Sequence, residues 1–302
     1  MALYYDAVII GGSFAGLSAA LYLARANRSV LVLDTGAPRN RFAAASHGFF
    51  AQDGSSPGAM IAAMRAQVSA YPTVTFIDRP AMDATRADAG FVVDLGSADT
   101  VRSSAILLAH GIADILPSLP GLAERWGRTV IHCPYCHGYE FKGQRLGVLN
   151  MSPMSIHQAT LIPEWGPTIF FLDGAEIDDE TAAMLAARGV AVEPAAVTGL
   201  IGEGTNLSAV ALADGREIAL DALYVGPRYQ LNSDIARHLG CAIEDGPLGP
   251  IVTVDEMKAT DVPGVYAAGD ITRAGHTVTF ACADGAMAAL SIHRSLVFGN
   301  SL

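Results

Sequence analysis

Tyr5-Asp6-Ala7-Val8-Ile9-Ile10-Gly11-Gly12-Ser13-Phe14-Ala15-Gly16 is the stretch that decides the fold. Tyr5 to Ile10 is short, apolar and β-branched, which reads as a buried strand ending at the paired glycines. Ala15 to Ala26, rich in Ala and Leu, reads as the helix that follows, and Ser29 to Leu33 as the next strand, stopped by Asp34. A strand, a glycine turn opening a helix, and an acid about 20 positions on make a dinucleotide-binding fingerprint. The glycines permit the turn and let the backbone approach a pyrophosphate at the positive end of the helix, while the acid accepts from ribose hydroxyls. Ser13 stands where the middle glycine is usual, and it is small enough to hydrogen-bond a phosphate itself. Gly11, Ser13, Phe14, Ala15, Gly16 and Asp34 are the candidate contacts.

Outward from this unit, an Arg-containing loop (Ala37-Pro38-Arg39-Asn40-Arg41) leads to a helix over about 57–70. Strands are expected over 74–77, 81–85, 91–95 and 105–109. Pro117, Pro120 and Gly121 break any regular element between 111 and 122 and suggest a boundary. A second strand–turn–helix–strand unit follows: strand 145–149, helix 155–161, strand 168–172, then a helix over 178–188 and strands up to Val225. Past Gly226-Pro227 a strand at 265–268 ends on Gly269-Asp270, and a last helix is expected over about 285–297. The fold class is α/β, in two units: residues 1–112 with 229–302, and 113–228 between them.

Composition narrows the function. Of 302 residues 51% are hydrophobic and only 16% charged, enough for a large core and too apolar for a disordered chain. A net charge of −11 without basic blocks argues against nucleic-acid or anionic-membrane partners. No window approaches the ~20 apolar residues of a membrane span. The N-terminus lacks a basic n-region, so a cytoplasmic protein is expected.

Cys133-Pro134-Tyr135-Cys136-His137-Gly138-Tyr139-Glu140 is the chemical centre. Two thiols separated by two residues can close a disulfide and exchange it with another dithiol. Each exchange moves protons, so a base at hand is useful. His137 is adjacent and His132 flanks the other side; Glu140 shares a face with His137 if the segment is helical, and would orient its ring. Cys-x-x-Cys-His is also the pattern of c-type haem attachment, but that needs an exported chain. Zinc needs four ligands, and no second Cys or His pair has suitable spacing, so no metal is expected. Two inert buried thiols are disfavoured by the Pro-Tyr insert, which suits an exposed turn. Cys241, Cys282, His157, His238 and His293 read as packing residues.

Thr260 to Asp270 resembles the Gly-Asp signature of two-dinucleotide flavoproteins, and Leu107-Leu108-Ala109-His110-Gly111 stands where those proteins have Ala-Thr-Gly. The resemblance implies that the first site takes FAD and that Asp270 holds its ribityl chain. With the Cys-x-x-Cys opening the second domain, the whole order resembles low-molecular-weight thioredoxin reductases over essentially the full chain. Cys133 to Glu140, Ser46-His47-Gly48-Phe49-Phe50 and Asp53-Gly54 look closer still to the dithiol oxidases acting on gliotoxin and holomycin, which carry His after the second cysteine. The resemblance implies FAD contacts at Arg39, Arg41, His47, Ala81, Ala109, Gly111, Gly269 and Asp270, with Cys136 against the flavin, Cys133 facing substrate, and a homodimer. His276-Thr277-Val278 replace the Arg-Gln-Ala that touches the isoalloxazine in thioredoxin reductases.

One feature of that family is missing. Where the central domain should carry a second fingerprint for NADPH, this chain has Asn150-Met151-Ser152-Pro153-Met154-Ser155, with no glycine and with a proline that lacks a donor. The strand that should lead to arginines for the 2′-phosphate is followed by Asp173, Glu176, Asp178 and Asp179, which would repel it. The expected function is therefore an FAD-dependent dithiol oxidase: a small-molecule or peptide dithiol reduces the Cys133–Cys136 disulfide and O2 takes the electrons, leaving H2O2. His137, with His132, would shuttle protons. Two other readings stay open: a disulfide reductase fed by ferredoxin or another flavin system, and a flavoprotein that captures dithiols without turnover.

Overall fold

The computed structural model describes residues 3–299. Its contacts divide the chain into two compact units: the described residues up to Arg41 with Pro57–Ala113 and those from Tyr229 onward, and Phe42–Ser56 with Asp114–Arg228.

In the first unit, strand Tyr4–Ile10 lies between the parallel strands Val30–Leu33 and Thr100–Leu108, with Val8 opposite both Leu31 and Ile106. Val74–Ile77 extends the sheet beyond Val30–Leu33. Thr100–Leu108 runs well past the stretch expected from the sequence and takes two neighbours. Antiparallel Phe91–Asp94 pairs along its first half, with Asp83–Arg86 beyond, and parallel Val265–Ala267 lies beside its end. Val30–Leu33, Val265–Ala267 and the second halves of Tyr4–Ile10 and Thr100–Leu108 are apolar runs buried on both faces, whereas Phe91–Asp94 alternates between buried and half-buried residues. Helix Phe14–Arg25 turns Leu17, Ala20 and Leu23 into the core, each leucine worth roughly 1.5–3 kcal/mol of burial.

The last helix is the main correction to the expected elements. It runs Val278–Phe298, beginning seven residues before the expected start, with Thr277 as its N-cap accepting from the Phe280 N–H at 3.0 Å. Gly285, where the helix was expected to begin, sits inside it. A Cβ there would overlap the carbonyl oxygen of Ala15, so the glycine serves close packing on helix Phe14–Arg25.

The second unit holds a parallel sheet ordered Ala191–Glu193, Thr168–Phe171, Leu146–Leu149, Ala222–Tyr224, Val130–Ile131. The strand order reverses at Leu146–Leu149, so the ends of that strand and of Ala222–Tyr224 flank the crevice where such sheets bind ligands. Helices Pro153–Leu161 and Asp179–Ala187 and an antiparallel three-stranded sheet complete the unit. Phe42–Ser56 was expected in the first unit and packs in the second, because Phe42 lies against Gly127 and the segment closes on itself. The Ser46 N–H donates to the Ser55 carbonyl at 2.8 Å and the Gly54 N–H to that of Ser46 at 2.9 Å. Among the described residues no helix is long and apolar enough to cross a membrane.

His110, at the end of Thr100–Leu108, has a buried Nε2 with no hydrogen-bond partner, and burial pushes its pKa down to about 4 against the opposing Gly111 carbonyl and Asp234. Protonation is thus disfavoured in the folded state, and the unfolded chain takes up the proton first. Stability present above the ordinary histidine value is lost as the pH falls from there towards 4, at about 1.4 kcal/mol per unit. Between pH 7.5 and 5.0 the wild type is expected to lose on the order of 2 kcal/mol by urea titration, and His110→Asn less than half of that. Equal losses in both proteins would remove His110 as the cause.

Candidate active site

The glycine turn of the first unit has no room for side chains. Gly11 adopts φ +112° with its α-carbon against the Ala109 carbonyl, and a Cβ on Gly16 would overlap the carbonyl oxygen of Gly11. Ser13 is the N-cap of helix Phe14–Arg25, makes no side-chain cap hydrogen bond, and is followed by no acid in the first turn. That end therefore presents its N–H groups and positive dipole to an anion. Phe14 and Ala15 are buried, so their part is played by backbone. Asp34 accepts from the Gly12 N–H at 3.2 Å. These residues fit a dinucleotide with its pyrophosphate on the helix end.

The same unit brings Arg39, Asp270 and His276 together. Arg39 Nη1 donates to His276 Nδ1 at 2.8 Å and lies 3.4 Å from Asp270 Oδ2. His276 Nε2 donates to the Arg273 carbonyl at 2.9 Å, which assigns the proton to Nε2 and leaves Nδ1 to accept. Gly269, at φ +81°, turns the chain into Asp270. Ala109 is buried with its N–H on the Ile10 carbonyl, Gly111 takes φ +66°, and Ala81 packs on the core. Arg41 donates to the carbonyls of Ala37 and Pro38, closing its own loop. Thr277 caps the last helix and Val278 begins it.

In the second unit, Cys133 follows strand Val130–Ile131 and caps a short helix, Pro134–His137, whose Pro134 suits the first helical position. Cys133 and Cys136 form a disulfide with α-carbons 5.3 Å apart. Trp165 supports the helix from below, its ring edge-to-face with Tyr135 at 5.7 Å and its indole nitrogen 2.8 Å from where a Cβ on Gly138 would stand. His132 Nδ1 donates to the Val225 carbonyl at 3.0 Å, and its own carbonyl accepts from Gln158 Nε2 at 3.0 Å. Burial lowers the pKa of His137, opposed by Glu140 and reinforced by His47, so its ring is neutral at pH 7. Tyr135, Tyr139 and Phe50 are exposed, Phe50 at 97%.

One expectation is redrawn here. The helix ends at His137, and Tyr139–Phe141 is a 3-10 turn, so the Glu140 carboxylate lies 3.4 Å from His47 Nε2 rather than sharing a helical face with His137. His47, assigned to the cofactor by resemblance, has further neighbours in this unit: its ring stands 6.4 Å from that of His137, near perpendicular, and its Nδ1 is 3.6 Å from Asp53. Asp53 entered the sequence analysis only as part of the Asp53-Gly54 resemblance, without a role, and Trp165 was not singled out.

The turn that stands where a second nucleotide would be held is filled by its own side chain. The fully buried Ser155 hydroxyl accepts from the N–H groups of Met151, at 2.9 Å, and Ser152, at 3.3 Å. Pro153 takes the first helical position and has no N–H. Asn150 Nδ2 reaches the Leu172 carbonyl at 3.4 Å. Of the four acids, Asp178 caps helix Asp179–Ala187 through the Thr181 N–H and Asp173 accepts from the Val197 N–H, so both have local work besides their charge. These residues do not fit a pyridine nucleotide. Among the described residues no three His, Cys, Asp or Glu side chains are arranged to hold a metal ion. Burial pushes the Cys282 thiol up to about 11 and raises that of Cys241, which keeps both protonated at neutral pH.

The family model for pyridine nucleotide-disulphide oxidoreductases matches residues 5–287. Thioredoxin reductase tcpT of Claviceps purpurea is 32% identical over 284 residues, covering 88% of this chain and 86% of that protein. The crystal structure of an oxidoreductase from Agrobacterium tumefaciens superposes with a TM-score of 0.94 at 45% identity, over 98% of this chain and 99% of that one. The crystal structure of HlmI gives 0.92 at 36% identity, over 99% and 94%. A glycine cradle for one dinucleotide, a disulfide of the redox spacing and these likenesses together place the chain in the pyridine nucleotide-disulphide oxidoreductase family, as an FAD-dependent thiol-disulfide oxidoreductase of the thioredoxin reductase type.

Proposed function

We propose that this protein oxidises a small-molecule or peptide dithiol to its disulfide with O2 as the terminal acceptor. The observation that carries the reading is the turn at 150–155, where Ser155 occupies the N–H groups a nucleotide phosphate would need. Electrons then enter by the sulfur side.

A substrate thiolate attacks Cys133 Sγ, breaking its bond to Cys136, which leaves as a thiolate. The second substrate thiol attacks the sulfur now joined to Cys133, forming the substrate disulfide and releasing Cys133. Both substrate protons stay with the enzyme, and His137, neutral at pH 7, is the group that takes one up, with His132 at the other flank. FAD, when bound, would supply the two-electron acceptor for the cysteine pair and the donor to O2, for one H2O2 per disulfide made. Gly11, Ser13, Gly16 and Asp34 would hold its pyrophosphate and ribose end, and Arg39, Asp270 and His276 would line its ribityl and flavin side. The exposed Tyr135, Tyr139 and Phe50 form an apolar rim that favours an uncharged dithiol.

Mixing the holoprotein with dithiothreitol in air tests the reading. Continuous oxygen uptake, with one H2O2 per O2, is expected. A single stoichiometric bleach of the flavin favours dithiol capture instead, and no reaction until reduced ferredoxin is added favours a reductase. Anaerobic bleaching by micromolar NADPH would restore a thioredoxin reductase that uses the central domain.

A further inference from the structure

The segment Phe42–Ser56 carries chemistry that the exchange just described does not use. Its ends are pinned by hydrogen bonds between Ser46, Ser55 and Gly54, and Gly48 and Gly54 take φ of +75° and +78°. Within this loop the Gly48 N–H donates to Asp53 at 2.8 Å, which holds the Asp53 carboxyl below its ordinary range. Asp53 thus stays anionic beside His47 Nδ1, at 3.6 Å. On the other edge of the ring, His47 Nε2 lies 3.4 Å from Glu140. The two ring nitrogens of His47 thus face opposite acids.

What docks the segment is informative. Its aromatic tip, Phe50, is 97% exposed and buries nothing. Contact with the cysteine unit is made by Phe42 at the base and by the imidazole of His47, placed beside His137 at 6.4 Å. The groups facing this cluster are Asp53 from the loop, Glu140 and His137 from the turns around the cysteines, and Tyr224 from strand Ala222–Tyr224, whose phenol burial and the Glu140 charge keep protonated.

We propose that His47 is a positioning residue for thiol exchange: set between Asp53 and Glu140, it holds Glu140 beside His137 and so governs proton transfer between His137 and the reacting thiols. No bond to sulfur is made by His47, and the proton count of the exchange is unchanged. The proposal rests on the reading of His137 as the proton acceptor. The two neighbours act on His137 in opposite senses, His47 lowering its affinity for a proton and Glu140 raising it.

The test is the pH dependence of anaerobic flavin reduction by dithiothreitol, measured by stopped flow on holoproteins from pH 5 to 9, where the titration of the probe itself is common to all variants. In Glu140→Gln the acid limb is expected to move down, and in His47→Gln to move down as well, because Glu140, the stronger of the two charges on His137, is no longer held beside it. Alkylation of the reduced cysteine pair by iodoacetamide, followed by mass spectrometry over the same range, should show displaced limbs in the same variants without any turnover. A histidine that merely pins the loop would change the height of the profile and not its position, so limbs that coincide with wild type after scaling overturn the proposal. His137→Gln separates this failure from that of the underlying reading. If it abolishes the limb while His47→Gln leaves it in place, only the role of His47 falls. If it keeps the wild-type limb, His137 is not the acceptor and both fall.

Discussion

Cys133→Ser is expected to reduce dithiol-driven oxygen uptake roughly 10³-fold or more, because a serine hydroxyl neither forms the disulfide that substrate attacks nor leaves as a thiolate. The variant should still purify with its flavin, since the glycine cradle is built from Gly11, Gly16 and Asp34 and contains no cysteine. Absorbance near the flavin maximum and an oxygen electrode with dithiothreitol separate the two properties. Cys136→Ser is the informative partner. It keeps the Cys133 thiol, so an added linear disulfide such as oxidised 2-mercaptoethanol can couple to Cys133 and release 2-mercaptoethanol. The adduct then persists, because no neighbouring thiolate resolves it. A Cys133→Ser protein that oxidised dithiols at the wild-type rate would remove the exchange mechanism and leave the flavin to react with thiols directly.

Gly16→Val should yield a protein without FAD. Its Cβ would overlap the Gly11 carbonyl oxygen, and the branch adds bulk at the end of helix Phe14–Arg25, where the pyrophosphate must come close to backbone. Part of the effect is structural: forcing a side chain into a packed site costs typically 1–3 kcal/mol, so the melting temperature should fall as well. Gly58→Ala provides the contrast. Nothing lies within 4 Å of a Cβ at that position, which is helical, and the substitution should raise stability by about 0.5–1 kcal/mol while keeping the flavin. Flavin content after gel filtration and thermal melts of both variants are sufficient readouts. Full flavin occupancy in Gly16→Val would mean that the cofactor does not lie on this turn.

Much of the first unit was readable because its signals are local. Alternating strand and helix patterns from Tyr5 to Leu33 appear within a residue or two of their expected limits, since a buried parallel strand is an apolar run and glycine ends it. The last helix was misread at its start for a complementary reason. Gly285 was placed at the helix start, and the reason for a glycine inside the helix, the backbone of Ala15 against it, joins residues from opposite ends of the sequence. The cysteine pair was legible as a motif, whereas the partner of its Glu140 was not: spacing pointed to His137, and the fold supplied His47.

The residues alone determined the α/β architecture, the glycine cradle for one dinucleotide, the redox cysteines and the loss of glycine from the second turn, because each is written in side-chain size and backbone freedom at neighbouring positions. Only the tertiary structure decided that Ser155 fills that second turn with its hydroxyl, and that His47 stands between Asp53 and Glu140 near His137. A hydrogen bond or an ion pair selects its partner by distance in space, and the sequence separation of the two groups carries no record of it.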